Sequence, residues 1–287
     1  MSVAACGRRD VAALPDELLA RLGLRRDAVH TDAQAMARVA LARQAELGGS
    51  LCFLPFCCTL EAEALGAPIR LGDAVAGPRA AAFVCAGLRD VLALPPMDIG
   101  CGRIARVLAA CQALAGQGEA VALEISGPLT ILNWLMELAA VFREWRRDEA
   151  LFRDVLARLD RELRLFALAA AGRGVRAISF ADPVGTLSVL GPGRFDFLAD
   201  AFTRPFLGRL REAQGFAAAL HVCPKTAGGL VSRGLAAWRE LPAGGPGSYA
   251  EACLAAGADG RIYGEACLKD AGYRPRGGVL RELVLTP

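Results

Sequence analysis

Short apolar runs alternate along this chain with longer stretches whose apolar positions recur at helical spacing. Five of the runs read as buried strands, and each ends in residues able to do chemistry. Leu51-Cys52-Phe53-Leu54 leads into Pro55-Phe56-Cys57-Cys58-Thr59 and then Leu60-Glu61-Ala62-Glu63. Val121-Ala122-Leu123-Glu124-Ile125 leads into Ser126-Gly127-Pro128, and Ala177-Ile178-Ser179-Phe180 into Ala181-Asp182-Pro183. Ala217-Ala218-Ala219-Leu220 leads into His221-Val222-Cys223-Pro224, and Arg261-Ile262-Tyr263 into Gly264-Glu265-Ala266-Cys267.

The stretches between them carry helical periodicity. The clearest runs over residues 148–171, with Leu151, Val155, Leu159, Leu163 and Ala167 four apart and Gly172 as a stop. Nearer the start, Pro15-Asp16-Glu17 opens a short helix with acids in its first turn. Thr31-Asp32 caps a second helix whose apolar face holds Met36, Val39 and Ala40. Residues 242–248, rich in proline and glycine, read as a surface loop.

Strands alternating with amphipathic helices imply a parallel sheet. Polar residues gathered just past the C-terminal ends of strands match the way β/α barrels build their sites. The expected fold is therefore α/β, a TIM-like β/α barrel. It forms one domain over residues 1–287, with a helical N-terminal extension to about residue 48. An open doubly wound sheet is the rival, and it lacks support because no Gly-rich phosphate loop follows any of the strands.

Composition narrows the partners. The chain of 287 residues is 54% apolar and 22% charged, as expected of a globular protein with a large core. A net charge of +3, with arginines scattered along the chain, gives no dense basic stripe and so no case for nucleic-acid binding. The longest uncharged runs, residues 47–60 and 125–136, reach about a dozen residues, too short to span a bilayer. Arg8, Arg9 and Asp10 precede any apolar stretch, which is not the order of a signal peptide. Ten cysteines without such a signal point to a reducing cytoplasm.

The candidate chemistry centres on His221-Val222-Cys223. The chain has only 2 histidines, and this one stands two residues from a cysteine at an expected strand end. Residues two apart on a strand point to the same side, so the imidazole and the sulfur converge. Cys267 follows 44 residues after Cys223, past another strand end. One nitrogen and two sulfurs supply three zinc ligands and leave a fourth position open. Taken alone, His221 and Cys223 read more readily as a core histidine beside an inert thiol. Glu61 and Glu63 can open a helix, where carboxylates suit the N-terminal dipole, or can line the pocket. Asp182 before Pro183 is a turn former that also sits past a buried strand. Glu124 lies inside an otherwise apolar strand and needs a partner if buried.

Several motifs together resemble one family. His30-Thr31-Asp32 with Met36, Pro55-Phe56-Cys57-Cys58-Thr59, and Glu61-Ala62-Glu63-Ala64-Leu65-Gly66-Ala67 come first. Ser126-Gly127-Pro128-Leu129-Thr130, Ala181-Asp182-Pro183, Leu220-His221-Val222-Cys223 and Cys267 follow in order. The pattern resembles the corrinoid-dependent methyltransferases of the uroporphyrinogen decarboxylase superfamily, over roughly residues 15–285. The resemblance implies a zinc ion at the top of a β/α barrel, held here by His221, Cys223 and Cys267. It also implies methyl transfer between a corrinoid on a partner protein and a small thiol of coenzyme M type, with Glu61, Glu63 and Asp182 lining the mouth. A homodimer is allowed.

The interval from Cys223 to Cys267 is shorter than the family pattern by about one β/α unit, and residues 230–250 offer no convincing strand. The barrel is therefore expected to be incomplete or irregular near its closing strands. A tetrapyrrole decarboxylase is an alternative, although an arginine-rich N-terminal signature is not evident. A non-catalytic member that binds a corrinoid protein or a metal is another.

Overall fold

The computed structural model describes residues 14–286 except 74, 246, 258 and 259. Of the predicted helical extension to about residue 48, residues 1–13 lie outside the described residues. Among the described residues nine strands follow one another: β1 (Cys52–Leu54), β2 (Ile69–Arg70), β3 (Arg79–Ala80), β4 (Val121–Ser126), β5 (Ala177–Ala181), β6 (Ala219–Val222), β7 (Ala236–Pro242), β8 (Ile262–Tyr263) and β9 (Val279–Leu285). β2 and β3 form a small antiparallel ribbon. The other seven form one sheet in the order β1-β4-β5-β6-β8-β9-β7. From β1 to β8 the neighbours are parallel, whereas β9 runs antiparallel to both β8 and β7.

The predicted elements recur with local adjustments. The long helix is Glu149–Ala171, and the side chain of its N-cap Asp148 accepts from the Leu151 N–H. Asp32 caps Ala33–Leu47 by accepting from the Ala35 N–H, and Met36, Val39 and Ala40 are buried. The fourth predicted strand is shifted by two residues, because its ladder starts at Ala219, whose N–H meets the Arg176 carbonyl. His221 therefore lies inside the strand rather than past it. The expectation of no strand over residues 230–250 is corrected by β7. Alternating exposure and a Pro242 end disguise β7 in sequence, and its partner β9 lies some 40 residues on.

The sheet has two unlike faces, as the two-residue period of a strand requires. One face presents Leu123, Ile125, Ile178, Phe180, Leu220 and Val222 to the surrounding helices, in the larger of two cores. The opposite face presents alanines at matching positions, Ala122, Ala177 and Ala219, in the smaller core. These small side chains leave room for Tyr249 and Cys253 of the helix Tyr249–Ala255, and for Ala266 and Leu268, to pack directly on the sheet. The C-terminal segment thus fills the inner face. Among the described residues no helix is long and apolar enough to cross a membrane.

Candidate active site at the strand ends

Above the inner alanines, strand register brings one polar residue from each of four neighbouring strands to a common level. Glu124 on β4 stands opposite Ser179 on β5, Ser179 opposite His221 on β6, and His221 opposite Tyr263 on β8. In sequence each is a polar or hydroxyl-bearing residue in an otherwise apolar run. Read as a set aligned by strand, that recurrence is the signal that would have exposed Ser179 and Tyr263.

His221 is 2% exposed and both ring nitrogens are engaged. Nε2 lies 2.9 Å from the Ala266 carbonyl oxygen, and Nδ1 lies 2.9 Å from the Ser179 hydroxyl. A carbonyl only accepts, so Nε2 carries the proton and Ser179 donates to Nδ1. Burial lowers the imidazole pKa to about 4, and Lys269 pushes the same way against the Ala266 carbonyl and Glu124. The ring is neutral at pH 7.

Cys223 caps the helix Pro224–Ser232 at the end of β6, its N–H bonded to the Phe180 carbonyl. Cys267 immediately follows the carbonyl that meets His221. Both cysteines are half-buried. Gly264 permits the close approach of the two strand ends. A Cβ there would stand 2.7 Å from the Ala227 Cβ and 2.9 Å from the Val222 carbonyl oxygen.

The residue types suit zinc, because they offer one imidazole nitrogen and two sulfurs from adjoining strand ends. The hydrogen bonding of His221 does not suit it, since Nε2 donates to Ala266 and Nδ1 accepts from Ser179. Among the described residues no group of three or more His, Cys, Asp or Glu is arranged to hold a metal ion. In this arrangement the set does not fit an ion.

The remaining predicted site residues are placed as follows. Glu61 is 1% exposed. Its Oε1 accepts from the Ser126 N–H at 2.7 Å, while its other oxygen is buried without a hydrogen-bond partner. Burial raises its pKa above the ordinary carboxylate value. Glu63 instead pairs with Arg103, whose other N–H groups reach the His30 carbonyl at 3.1 Å and the Cys57 sulfur at 2.9 Å. Cys57 is buried and Cys58 half-buried, and burial beside Cys57 pushes the Cys58 thiol up to about 12.

Asp182 does not open to the mouth. Its two oxygens accept from the Leu129 N–H (3.1 Å), the Thr130 N–H (2.9 Å) and hydroxyl (2.7 Å), and the Gly185 N–H (3.2 Å). It satisfies the exposed N–H groups that begin the helix Pro128–Leu135, a role any helix start demands of some acceptor. A Cβ on Gly127 would come within 2.3 Å of the Asp182 Cβ, which explains the glycine before Pro128. The two motifs that seemed separate in sequence are one strut.

Glu124 has the partner that its burial demanded. Lys269 Nζ donates to its Oε2 at 2.6 Å from the far end of the chain.

Comparison with known proteins gives this geometry a lineage. A family model described as Uroporphyrinogen decarboxylase (URO-D) matches residues 5–234. A methylcobamide:CoM methyltransferase, MtaA of Methanosarcina barkeri, is 26% identical over 213 residues, 73% of this chain and 61% of that protein. A methylcobamide:CoM methyltransferase, MtbA of Methanosarcina mazei, is 25% identical over 210 residues, 70% of this chain and 60% of that protein. The chain spans about three fifths of the length of these relatives. A solved methyltransferase from Methanosarcina mazei is similar in fold, with a TM-score of 0.62 and 22% identity. That likeness covers 88% of this chain and 76% of the other. The α/β architecture is the TIM-like barrel expected from sequence, and the family match ends before β7.

Proposed function

Because this chain belongs to the uroporphyrinogen decarboxylase (URO-D) family, matched over residues 5–234, we propose that it transfers a methyl group between a protein-borne methylcorrinoid and a small thiol in the cytoplasm. The observation that carries the reading is the meeting of two strand ends. His221 lies on β6 with Cys223 two residues on, and the Ala266 carbonyl bonded to its ring immediately precedes Cys267. The printed activity of the relatives, methylcobamide:CoM methyl transfer, supports it.

In this reading His221, Cys223 and Cys267 hold zinc once the Ala266 carbonyl has withdrawn from Nε2. When bound, zinc lowers the pKa of a thiol and keeps it as thiolate at neutral pH.

The chain's own residues supply the rest. Ser179 fixes the plane of the imidazole, and its hydroxyl serves either tautomer because it both donates and accepts. Glu61, with one oxygen uncommitted in a buried setting, can hold a proton beside the strand ends. Lys269 and Glu124 neutralise one another near His221, so the site carries little excess charge before a thiolate enters. Glu63 orients Arg103, and Asp182 braces the first turn of Pro128–Leu135. Methyl transfer also needs the thiol sulfur, the methyl carbon and the leaving atom in line.

One observation favours a second reading, a non-catalytic member of the family. The C-terminal segment fills the inner face, and its Ala266 carbonyl occupies the histidine nitrogen that a metal would use. The tetrapyrrole decarboxylase alternative draws no support from Arg103, whose guanidinium is committed to Glu63, His30 and Cys57. Zinc content of anaerobically purified protein separates the readings. The expected result is about one zinc per chain in the wild type and none in Cys267→Ser. A wild-type protein that binds no zinc would refute the metal assignment.

A further inference from the structure

The C-terminal segment touches the polar row of the sheet at two places. The Ala266 carbonyl meets His221 on β6, and three residues later Lys269 reaches Glu124 on β4. β5 lies between those strands, so the two contacts straddle two strand spacings, about 9.6 Å. The Lys269 ammonium also lies 5.5 Å from the centroid of the Phe53 ring. Its side chain is 19% exposed and that of Glu124 is 23% exposed, so water screens the pair only partly. Glu124 stands between the apolar Leu123 and Ile125 of β4 and would be costly without a cation.

We propose that Lys269 is a positioning residue that pairs with Glu124 to hold residues 264–270 across the inner face, keeping the Ala266 carbonyl on His221 and Cys267 beside it. The tie acts beside others on the same segment: the Glu265 N–H donates to the Tyr249 hydroxyl, Tyr273 and Arg281 bind the Glu265 carboxylate, and Ala266 and Leu268 are buried. Breaking it should loosen the segment at its Lys269 end and raise the fraction of molecules in which the Ala266 carbonyl leaves Nε2, while Ser179 still holds Nδ1. The consequence for metal binding rests on the function proposed above. A ligand that needs Nε2 binds only the lifted fraction of molecules, so its apparent affinity scales with that fraction.

The test is hydrogen–deuterium exchange of the backbone over residues 264–270, read on metal-free, full-length protein. Lys269→Met and Glu124→Gln should each exchange about tenfold faster in this segment, the loss expected for a charge-assisted hydrogen bond. Lys269→Arg and the charge-swapped pair Glu124→Lys with Lys269→Glu should return it towards the wild-type rate, which a merely structural defect would not allow. Should one single variant fail to fold, the other gives the same reading.

Unchanged exchange in the folded single variants overturns the proposal, as does failure of both rescue variants. Zinc titration of the same proteins should show about tenfold tighter binding in Lys269→Met. If the wild type binds zinc and Lys269→Met binds it no tighter, the capping role is overturned while the metal reading survives. If exchange responds as expected but no variant binds zinc, the positioning role stands and the metal reading falls.

Discussion

From β1 to β6 each strand of the main sheet runs parallel to its sheet neighbour and is regained through helices, whereas β7 and β9 pair antiparallel and β8 is only two residues long. The first region is held by buried runs whose side chains face helices on one side. The second is held by a ribbon with ionic rungs: Arg239 grips Glu282 through two nitrogens, and Arg281 pairs with Glu240 and Glu265. The candidate site lies across this join. His221 and Cys223 belong to the parallel region, while Cys267 and Lys269 belong to the irregular one, beyond the end of the family match at residue 234. The candidate site therefore draws its residues from both sides of the join.

The contrast predicts that single polar deletions cost far more in the parallel region. Asp182→Ala leaves the Leu129, Thr130 and Gly185 donors buried without an acceptor, and should lower unfolding free energy by about 3 kcal/mol in urea titration. A loss under about 1 kcal/mol would break the comparison.

Next in size is an acid sensitivity of the N-terminal helix Ala28–Thr31, which packs beside the parallel region. Burial, with Arg103 and Arg26 nearby, lowers the His30 pKa to about 4. The unfolded chain binds a proton near 6.5 and the folded chain does not, so stability falls as pH drops from about 6.5 and levels off below about 4. The loss should be up to about 3 kcal/mol for this group and absent in His30→Gln. His221 titrates in the same window, so the variant should remove only part of the total drop. Unfolding curves at several pH values check both statements.

The smallest effect is expected in the ribbon. Arg239 is 60% exposed, and Arg239→Ala should cost under about 1 kcal/mol despite its three short contacts with Glu282. A loss matching that of Asp182→Ala would show the two regions to be built alike.

Legibility in the sequence divides along the same join. Parallel strands buried on both faces are near-continuous apolar runs, so five of them, and the helix over 149–171, stood out from local pattern alone. Strand β7 did not, because Arg239 and Glu240 give an edge strand the look of a loop until β9 is seen beside it. His221, Cys223 and Cys267 were visible as residue types. The Lys269–Glu124 pair was not, since nothing local ties residues 145 positions apart. Asp182 was expected to line the mouth, whereas the structure turns it to the start of the helix Pro128–Leu135. Its four donors, one of them on its own turn and the rest on Pro128–Leu135, were beyond what a single run can reveal.

The most direct measurement of the central claim is anaerobic demethylation of methylcobalamin by zinc-supplemented protein, with 2-mercaptoethanesulfonate as the thiol. The account predicts demethylation that requires both the thiol and the protein, and a rate at least about 100-fold lower in His221→Ala. Equal rates in wild type and His221→Ala, or no thiol-dependent demethylation by a wild type that has bound its zinc, would contradict it.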